Sequence, residues 1–80
     1  LQAPDTTQAE GQGVLSQLSS RQLEVLTLLV KGLTATQVAA SLGIVQRTVE
    51  FHKYRIMEML GARTSADLIR IAIQAGIKLD

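Results

Sequence analysis

Eighty residues are enough for one small domain but not for two, and a domain of this size is only marginally stable. With no cysteine and a single histidine, the sequence excludes disulfides and argues against a metal site. The formal net charge of +1 is unevenly spread. Residues 1–13 carry two acidic and no basic side chains, whereas residues 14–80 carry eight basic and five acidic ones, a mild preference for polyanionic partners.

The chain begins with LQAPDTTQAEGQG, which has no apolar periodicity and contains one proline and two glycines. This composition predicts a flexible linker or tail over residues 1–15 and a folded domain over residues 16–80. A linker at this place indicates an upstream regulatory domain that is removed or absent from this chain; a frayed terminus is the alternative. Neither a signal peptide nor a membrane-spanning run is found, so we expect a cytoplasmic protein without a membrane partner.

Two helices are predicted in the first half of the domain, each beginning with a hydroxyl residue followed three positions later by glutamine. The pairs are Ser19 with Gln22, and Thr34 with Gln37. This spacing is typical of a capping box, in which both side chains bond to the free backbone amides at the start of a helix. Gly32 ends the first helix and Gly43 ends the second, because glycine accepts the left-handed conformation found beyond helix ends.

Two more helices follow in the second half. The third is predicted from about Gln46 to Leu60, before Gly61, and the fourth begins after Thr64 as N-cap and runs to Gly76. The apolar positions step by three and four rather than by two, which favours helices over strands. The prediction is therefore an all-α, four-helix bundle, and the segment between its second and third helices, described below, adds a helix-turn-helix to this fold class.

The third helix has two opposite faces when its residues are placed about 100° apart around the helix axis. One face carries the residues that we expect to pack inside: Val49, His52, Ile56, Met59 and Leu60. The other carries Arg47, Glu50, Phe51, Tyr54 and Glu58. Phe51 and Tyr54 are the protein's two aromatic residues, and an exposed pair indicates a binding surface. The alternative is an ordinary amphipathic helix with a solvated charged face.

The segment before this helix favours the binding interpretation. Ala39 precedes Gly43 by four residues and Val49 follows it by six. A small residue allows close approach of two helices, the glycine permits a sharp turn, and the branched residue fills the wedge between them. This spacing is typical of a helix-turn-helix, whose second helix fits the major groove of DNA.

Four stretches, LSSRQLEVLTLLVKGLT, QVAASLGI, RTVEFH and IMEMLGARTSADLIRIAIQAG, occur in this order between residues 18 and 77. Together they resemble the LuxR/FixJ-type DNA-binding domain of bacterial transcription regulators. The resemblance implies sequence-specific binding of double-stranded DNA by the third helix, usually as a dimer on paired half-sites. The TVEFH form resembles domains that follow a phosphorylatable receiver domain, that is, the output domain of a two-component response regulator.

The resemblance also implies which residues contact DNA. Arg47, Glu50, Phe51 and Tyr54 correspond to groove-facing positions, and Thr48 and Lys53 to phosphate contacts. The full predicted set is Thr34, Thr36, Gln46, Arg47, Thr48, Glu50, Phe51, Lys53, Tyr54 and Arg55. Glu24 is expected to tie helices together, and His52 to be a packed, hydrogen-bonded core residue.

The sequence departs from the family's pattern at three places. Glu50 stands where many members have lysine, so it is expected to accept a hydrogen bond from cytosine N4 or to hold Arg47 or Tyr54. Val45 replaces the usual serine or threonine, which removes a side-chain cap that contributes about 1 kcal/mol. The usual lysine near Thr36 is missing, although the hydroxyls of Thr34 and Thr36 remain for a phosphate.

The fourth helix has more apolar surface than so small a core can cover. The predicted dimer interface comprises Leu68, Ile69, Ala72 and Ile73, and the alternative is that this helix only closes the core. RNA polymerase is a further candidate partner. No cofactor is expected.

Other classes of function have less support. Without a cysteine nucleophile, a serine motif or a glycine-rich phosphate loop, the chain is not expected to be an enzyme. The alternatives to a DNA-binding regulator are a helical protein-interaction module without DNA contact and a sigma-factor-like promoter-binding segment.

Overall fold

The computed structural model describes residues 13–79. Its elements are a 3-10 turn Leu15–Gln17 and four α-helices: α1 Ser20–Val30, α2 Ala35–Leu42, α3 Gln46–Leu60 and α4 Ser65–Gln74. The residues in this range form no strand, which confirms the all-α, four-helix prediction. No helix within the described range has the length and hydropathy needed to cross a bilayer. The prediction of a linker falls mostly on residues 1–12, outside the described residues.

Capping boxes begin the first two helices as predicted. The Gln22 backbone N–H donates to Ser19 Oγ at 3.1 Å, and the Ser19 N–H donates to Gln22 Oε1 at 2.9 Å. Thr34 and Gln37 form the same pair of bonds at 3.2 and 2.9 Å. Each box satisfies two backbone donors that have no partner inside the helix, so the start of each helix is determined locally.

At the start of α4, the Asp67 N–H donates to Thr64 Oγ1 at 3.0 Å, and Asp67 Oδ2 accepts from the Arg63 N–H at 3.2 Å. Asp67 also forms an ion pair with Arg70 one turn later. The backbone hydrogen bond from Arg63, followed by the bond from the Arg70 side chain, lowers the pKa of the Asp67 carboxyl below its ordinary value of 3.8.

The core contains side chains from every helix, with α3 in contact with α1, α2 and α4. Its fully buried members of largest volume are Val25, Leu26, Val38, Val49, Ile56 and Leu68. Ala39 is buried at the crossing of α2 and α3, and Gly43 adopts a φ of +70° in the turn between them. The Ile44 N–H donates to Ala39 O at 3.0 Å and closes this turn. The residues predicted to form the helix-turn-helix therefore occupy the expected places.

The structure corrects the prediction of the dimer interface at two residues. Leu68 is 1% exposed and Ala72 is fully buried within one chain, so neither side chain is available to a second copy. Both lie on the face of α4 that packs against the core, four residues apart. Ile69 and Ile73 each follow one residue later, about 100° further around the helix. Ile69 is half-buried and Ile73 is 54% exposed, so only these two of the four remain candidates.

The buried side of α3 also differs from the prediction. Met59, which was expected to pack inside, is exposed, whereas Met57, which was assigned to neither face, is buried. After Gly61 the chain turns back, and the Ala62 N–H donates to Met57 O at 2.9 Å. This bond closes the C-terminal end of α3, where Gly61 adopts the left-handed conformation.

Two further residues lie elsewhere than expected. Leu15, which was assigned to the linker, is 6% exposed and belongs to the core, because the 3-10 turn directs it inward. Glu24 was expected to connect helices, but it forms an exposed ion pair of 3.3 Å with Arg21 of its own helix. An exposed pair of this kind contributes little to stability.

Candidate nucleic-acid interface

The outer face of α3, defined by Arg47, Glu50, Phe51, Tyr54 and Glu58, is directed away from the core. Phe51 is 59% exposed and Tyr54 is 61% exposed, whereas Val49 and Ile56 of the same helix are fully buried. The predicted orientation of the helix is therefore confirmed: the two aromatic side chains are not packed inside. Two large apolar side chains held in water by a rigid helix form a surface that gains free energy when a partner covers it.

Cationic side chains lie beside both aromatic rings. Lys53 Nζ is 5.5 Å from the centre of the Tyr54 ring, and Arg55 Cζ is 6.0 Å from the centre of the Phe51 ring. At these distances each cation is attracted to the neighbouring aromatic ring, which stabilises the two side chains next to each other. The face therefore combines apolar contact area with positive charge.

A shallow groove runs along the C-terminal half of α3, and its lining includes Phe51, Tyr54, Arg55 and Arg63. Arg63 is exposed and follows the Gly61 turn, so it adds a cation to this end of the face. It was absent from the predicted site. The signal that could have found it is its position two residues after Gly61, where a turn returns the chain toward α3.

Three predicted site residues are joined in one hydrogen-bonded chain between α2 and α3, the Thr36–Gln46–Glu50 chain. Thr36 Oγ1 donates to Gln46 Oε1 at 2.9 Å, and Gln46 Nε2 donates to Glu50 Oε2 at 3.0 Å. The expected internal partners of Glu50 were Arg47 or Tyr54, but the structure gives it Gln46 instead. The reason is geometric: Gln46 lies one helical turn before Glu50, where i and i+4 side chains meet.

The remaining predicted residues occupy two places. Thr34 and Lys53 line the same cavity of about 260 Å³, between the α1–α2 turn and the start of α4. Lys53 is half-buried there, and its Nζ nevertheless stays near the Tyr54 ring of the outer face. Thr34 Oγ1 already accepts the capping bond from Gln37. Arg47 is exposed and Thr48 is half-buried near the N-terminus of α3.

Two positions around the face have unsatisfied polar groups. Val45 is the N-cap of α3 and provides no side-chain hydrogen bond, as predicted, so the backbone N–H groups of Gln46 and Arg47 stay available for another acceptor, while that of Thr48 donates to Val45 O. His52 is half-buried, but its buried Nδ1 has no hydrogen-bond partner in the part of the chain that the structure describes. The hydrogen-bonded histidine expected from the sequence is therefore not found at this nitrogen.

The three cations of α3 outnumber its two carboxylates, Glu50 and Glu58, and this small positive balance favours an anionic partner. The two ion pairs among residues 13–79, Arg21–Glu24 and Arg70–Asp67, leave the cations of α3 without an acidic partner. Over the same residues, no cluster of three potential metal ligands occurs. The face can therefore bind phosphates through Arg47, Lys53 and Arg55 while Phe51 and Tyr54 meet flat or apolar groups.

Comparison with known proteins extends these observations. A family model described as bacterial regulatory proteins, luxR family, matches residues 16–72. The transcriptional regulatory protein FixJ of Azorhizobium caulinodans is 40% identical over 60 residues, covering 75% of this chain and 28% of that protein.

Two other relatives are also described as regulatory proteins. The C4-dicarboxylate transport transcriptional regulatory protein DctR of Rhodobacter capsulatus is 46% identical over 50 residues, covering 62% of this chain and 25% of that protein. The uncharacterized response regulatory protein YgeK of Escherichia coli is 34% identical over 62 residues, covering 78% and 42%. The chain spans between about a quarter and two fifths of the length of these relatives.

Proposed function

Because this chain belongs to the luxR family of bacterial regulatory proteins and is a helix-turn-helix DNA-binding domain, we propose that α3 lies in the major groove of double-stranded DNA. Arg47, Glu50, Phe51 and Tyr54 then face the base edges. The observation that carries this proposal is the contrast within one helix between exposed Phe51 and Tyr54 and fully buried Val49 and Ile56. A helix of this diameter fits the major groove, where each base pair presents a distinct set of donors and acceptors.

Phosphate contacts flank the helix in this arrangement. Lys53, Arg55 and Arg63 provide charge on the sides of α3, and Thr48 provides a hydroxyl near its N-terminus. The backbone N–H groups of Gln46 and Arg47 at the start of α3, and of Ala35 and Thr36 at the start of α2, add donors without charge. Such contacts orient the protein on the duplex and supply affinity that does not depend on sequence.

The whole protein is proposed to be a two-component response regulator, with this domain as its output and a receiver domain upstream. The names of similar proteins and the small share of their length that this chain covers support this. We further propose a homodimer on paired half-sites through Ile69 and Ile73 of α4, with RNA polymerase as a further partner in the cytoplasm.

The first test is selection of binding sites from random duplex DNA, followed by affinity measurements over a range of salt concentrations. Binding through phosphates must weaken steeply as salt rises, because each neutralised phosphate releases a counterion. Lys53→Ala should weaken binding to all sequences and reduce the slope of log K against log salt by about 0.9 for each phosphate that the variant no longer neutralises. Lys78→Ala is the matched control, since this exposed lysine lies after α4 and away from α3.

The outcome separates the proposed function from its main alternative. Selection of a defined site, with a steep salt dependence that Lys53→Ala reduces and Lys78→Ala does not, supports the proposal. Circular dichroism of both variants checks that helical content is retained. Absence of duplex binding, or binding that does not change with salt, would instead favour a protein-interaction module.

A further inference from the structure

We infer that the hydroxyl of Thr36 in α2 controls the base preference of Glu50 in α3, acting through Gln46, and does not itself bind a phosphate of DNA. This inference rests on the proposed function, because it concerns which base the major-groove face selects. It assigns Thr36 and Gln46 as positioning residues and Glu50 as the residue that contacts a base. The partner of Glu50 is the N4 amino group of cytosine.

The direction of the hydrogen bonds is determined by the carboxylate at the end of the Thr36–Gln46–Glu50 chain. An ionised carboxylate only accepts hydrogen bonds, so the group of Gln46 that faces Glu50 must be its NH₂. The opposite side of the same amide is then the carbonyl oxygen, which only accepts. Thr36 must therefore donate its hydroxyl hydrogen to Gln46 Oε1, in agreement with the distances of 3.0 and 2.9 Å.

This direction removes the Thr36 hydroxyl from the set of phosphate donors. A hydroxyl has one hydrogen, and the hydrogen of Thr36 is used in the bond to Gln46. What remains on Thr36 Oγ1 are its two lone pairs, which a phosphate oxygen cannot use. Gln46 is restricted in the same way, because its amide plane is held between α2 and α3 and is not free to form the paired bonds by which glutamine recognises adenine.

The chain leaves Glu50 in a defined position. Gln46 bonds to Oε2, and Glu50 Oε1 keeps its lone pairs for a donor outside the protein. In the major groove, cytosine N4 is the donor that pairs with glutamate, whereas guanine offers acceptors that would repel it. Glu50 is half-buried, and docking on DNA would exclude more water from the chain, which strengthens its hydrogen bonds.

The experiment measures affinity for three duplexes: the selected site, the same site with the cytosine pair at the Glu50 position replaced, and an unrelated sequence. The preference is the ratio of the first two affinities. Thr36→Val removes the hydroxyl but keeps the side-chain shape, and it should reduce the preference about 2- to 10-fold. Affinity for the unrelated duplex should stay within about twofold of the unmodified protein. Thr36→Ser, which keeps the hydroxyl, should retain the preference of the unmodified protein.

Two further variants test the path of the effect. Gln46→Met, which is similar in length and cannot complete the chain, should reduce the preference as Thr36→Val does. In a Glu50→Gln background, Thr36→Val should cause no additional change, because the residue on which it acts is gone. This double-mutant comparison detects coupling that a merely structural role of Thr36 would not produce.

Other outcomes overturn the inference. Equal weakening of all three duplexes by Thr36→Val, with the preference unchanged, would make Thr36 a backbone contact. An unaltered preference in both Thr36→Val and Gln46→Met, or no preference for cytosine in the unmodified protein, would also refute it. If the unmodified protein bound no duplex at all, the proposed function itself would be refuted. This result differs from the other outcomes, in all of which the unmodified protein still binds DNA.

Discussion

Ile73 of α4 provides a quantitative test of the proposed dimer. Complete burial of an isoleucine side chain contributes about 1.5–3 kcal/mol. Ile73 is 54% exposed in one chain, so about half of this gain is available when a second copy covers it. A twofold-symmetric interface contains the residue twice. Ile73→Ala should therefore weaken dimerisation by about 1.5–3 kcal/mol, or about 10- to 150-fold.

The effect on folding should be much smaller. More than half of the side chain already contacts water, and alanine has the highest helix propensity, so the free energy of unfolding should fall by about 1 kcal/mol or less. Leu68→Ala is the opposite case. Because Leu68 is 1% exposed, its truncation should reduce the free energy of unfolding by about 2–5 kcal/mol.

Sedimentation equilibrium measures self-association, and mobility shifts on one or two half-sites measure pairing on DNA. Ile73→Ala should abolish cooperative binding to two half-sites while binding to a single half-site is retained. Gln74→Ala, at an exposed neighbouring position of the same helix, is the control. Unchanged cooperativity in Ile73→Ala would show that the two copies do not meet through this face of α4.

Three further predictions concern the turn, the start of α4 and the aromatic face. Gly43→Ala should reduce the free energy of unfolding, measured in urea, by about 1–2 kcal/mol, because Gly43 has a φ of +70° that alanine adopts only with strain. An added Cβ meets no atom within 4 Å, so a larger loss would indicate a steric contact. The lowered pKa of Asp67 makes its contribution to stability complete above pH 3.8 and lost as pH falls through the folded-state value. Below about pH 4, the melting temperature of Asp67→Asn should therefore fall less with decreasing pH than that of the unmodified protein. The same pH dependence of the melting temperature in both proteins would contradict this. Replacement of a thymine that contacts Phe51 by deoxyuridine removes one methyl group and should weaken binding about fourfold. The affinity of Phe51→Ala should not change with this replacement. If both proteins lost the same affinity, Phe51 would not be in contact with the methyl group.

Local features of the sequence were sufficient to predict the helices. The capping residues Ser19, Thr34 and Thr64 act on amides two or three residues away, and glycines such as Gly43 end helices through their own backbone conformation. The Ala39, Gly43 and Val49 spacing predicted the helix-turn-helix for the same reason, since the two helices are joined by a short turn. The outward orientation of Phe51 and Tyr54 followed from the period of one helix.

Contacts between distant segments were not predictable in this way. The hydrogen bond from Thr36 to Gln46 joins residues ten positions apart, and it exists only because the turn at Gly43 brings the starts of α2 and α3 together. Arg63 lies in the same groove as Phe51 and Tyr54 because the chain turns back after Gly61.

The sequence alone determined where each helix begins and ends and which face of α3 is polar, because those properties depend on interactions within about one helical turn. The tertiary structure alone decided that Leu68 and Ala72 face the core while Ile73 stays in water. All three are apolar, and Ile73 lies on a stripe of α4 next to that of Leu68 and Ala72, so the apolar pattern does not tell which of the two stripes is buried. Only the rotation of α4 against its neighbours, which depends on how side chains of several helices fit, separates buried residues from those left for a partner.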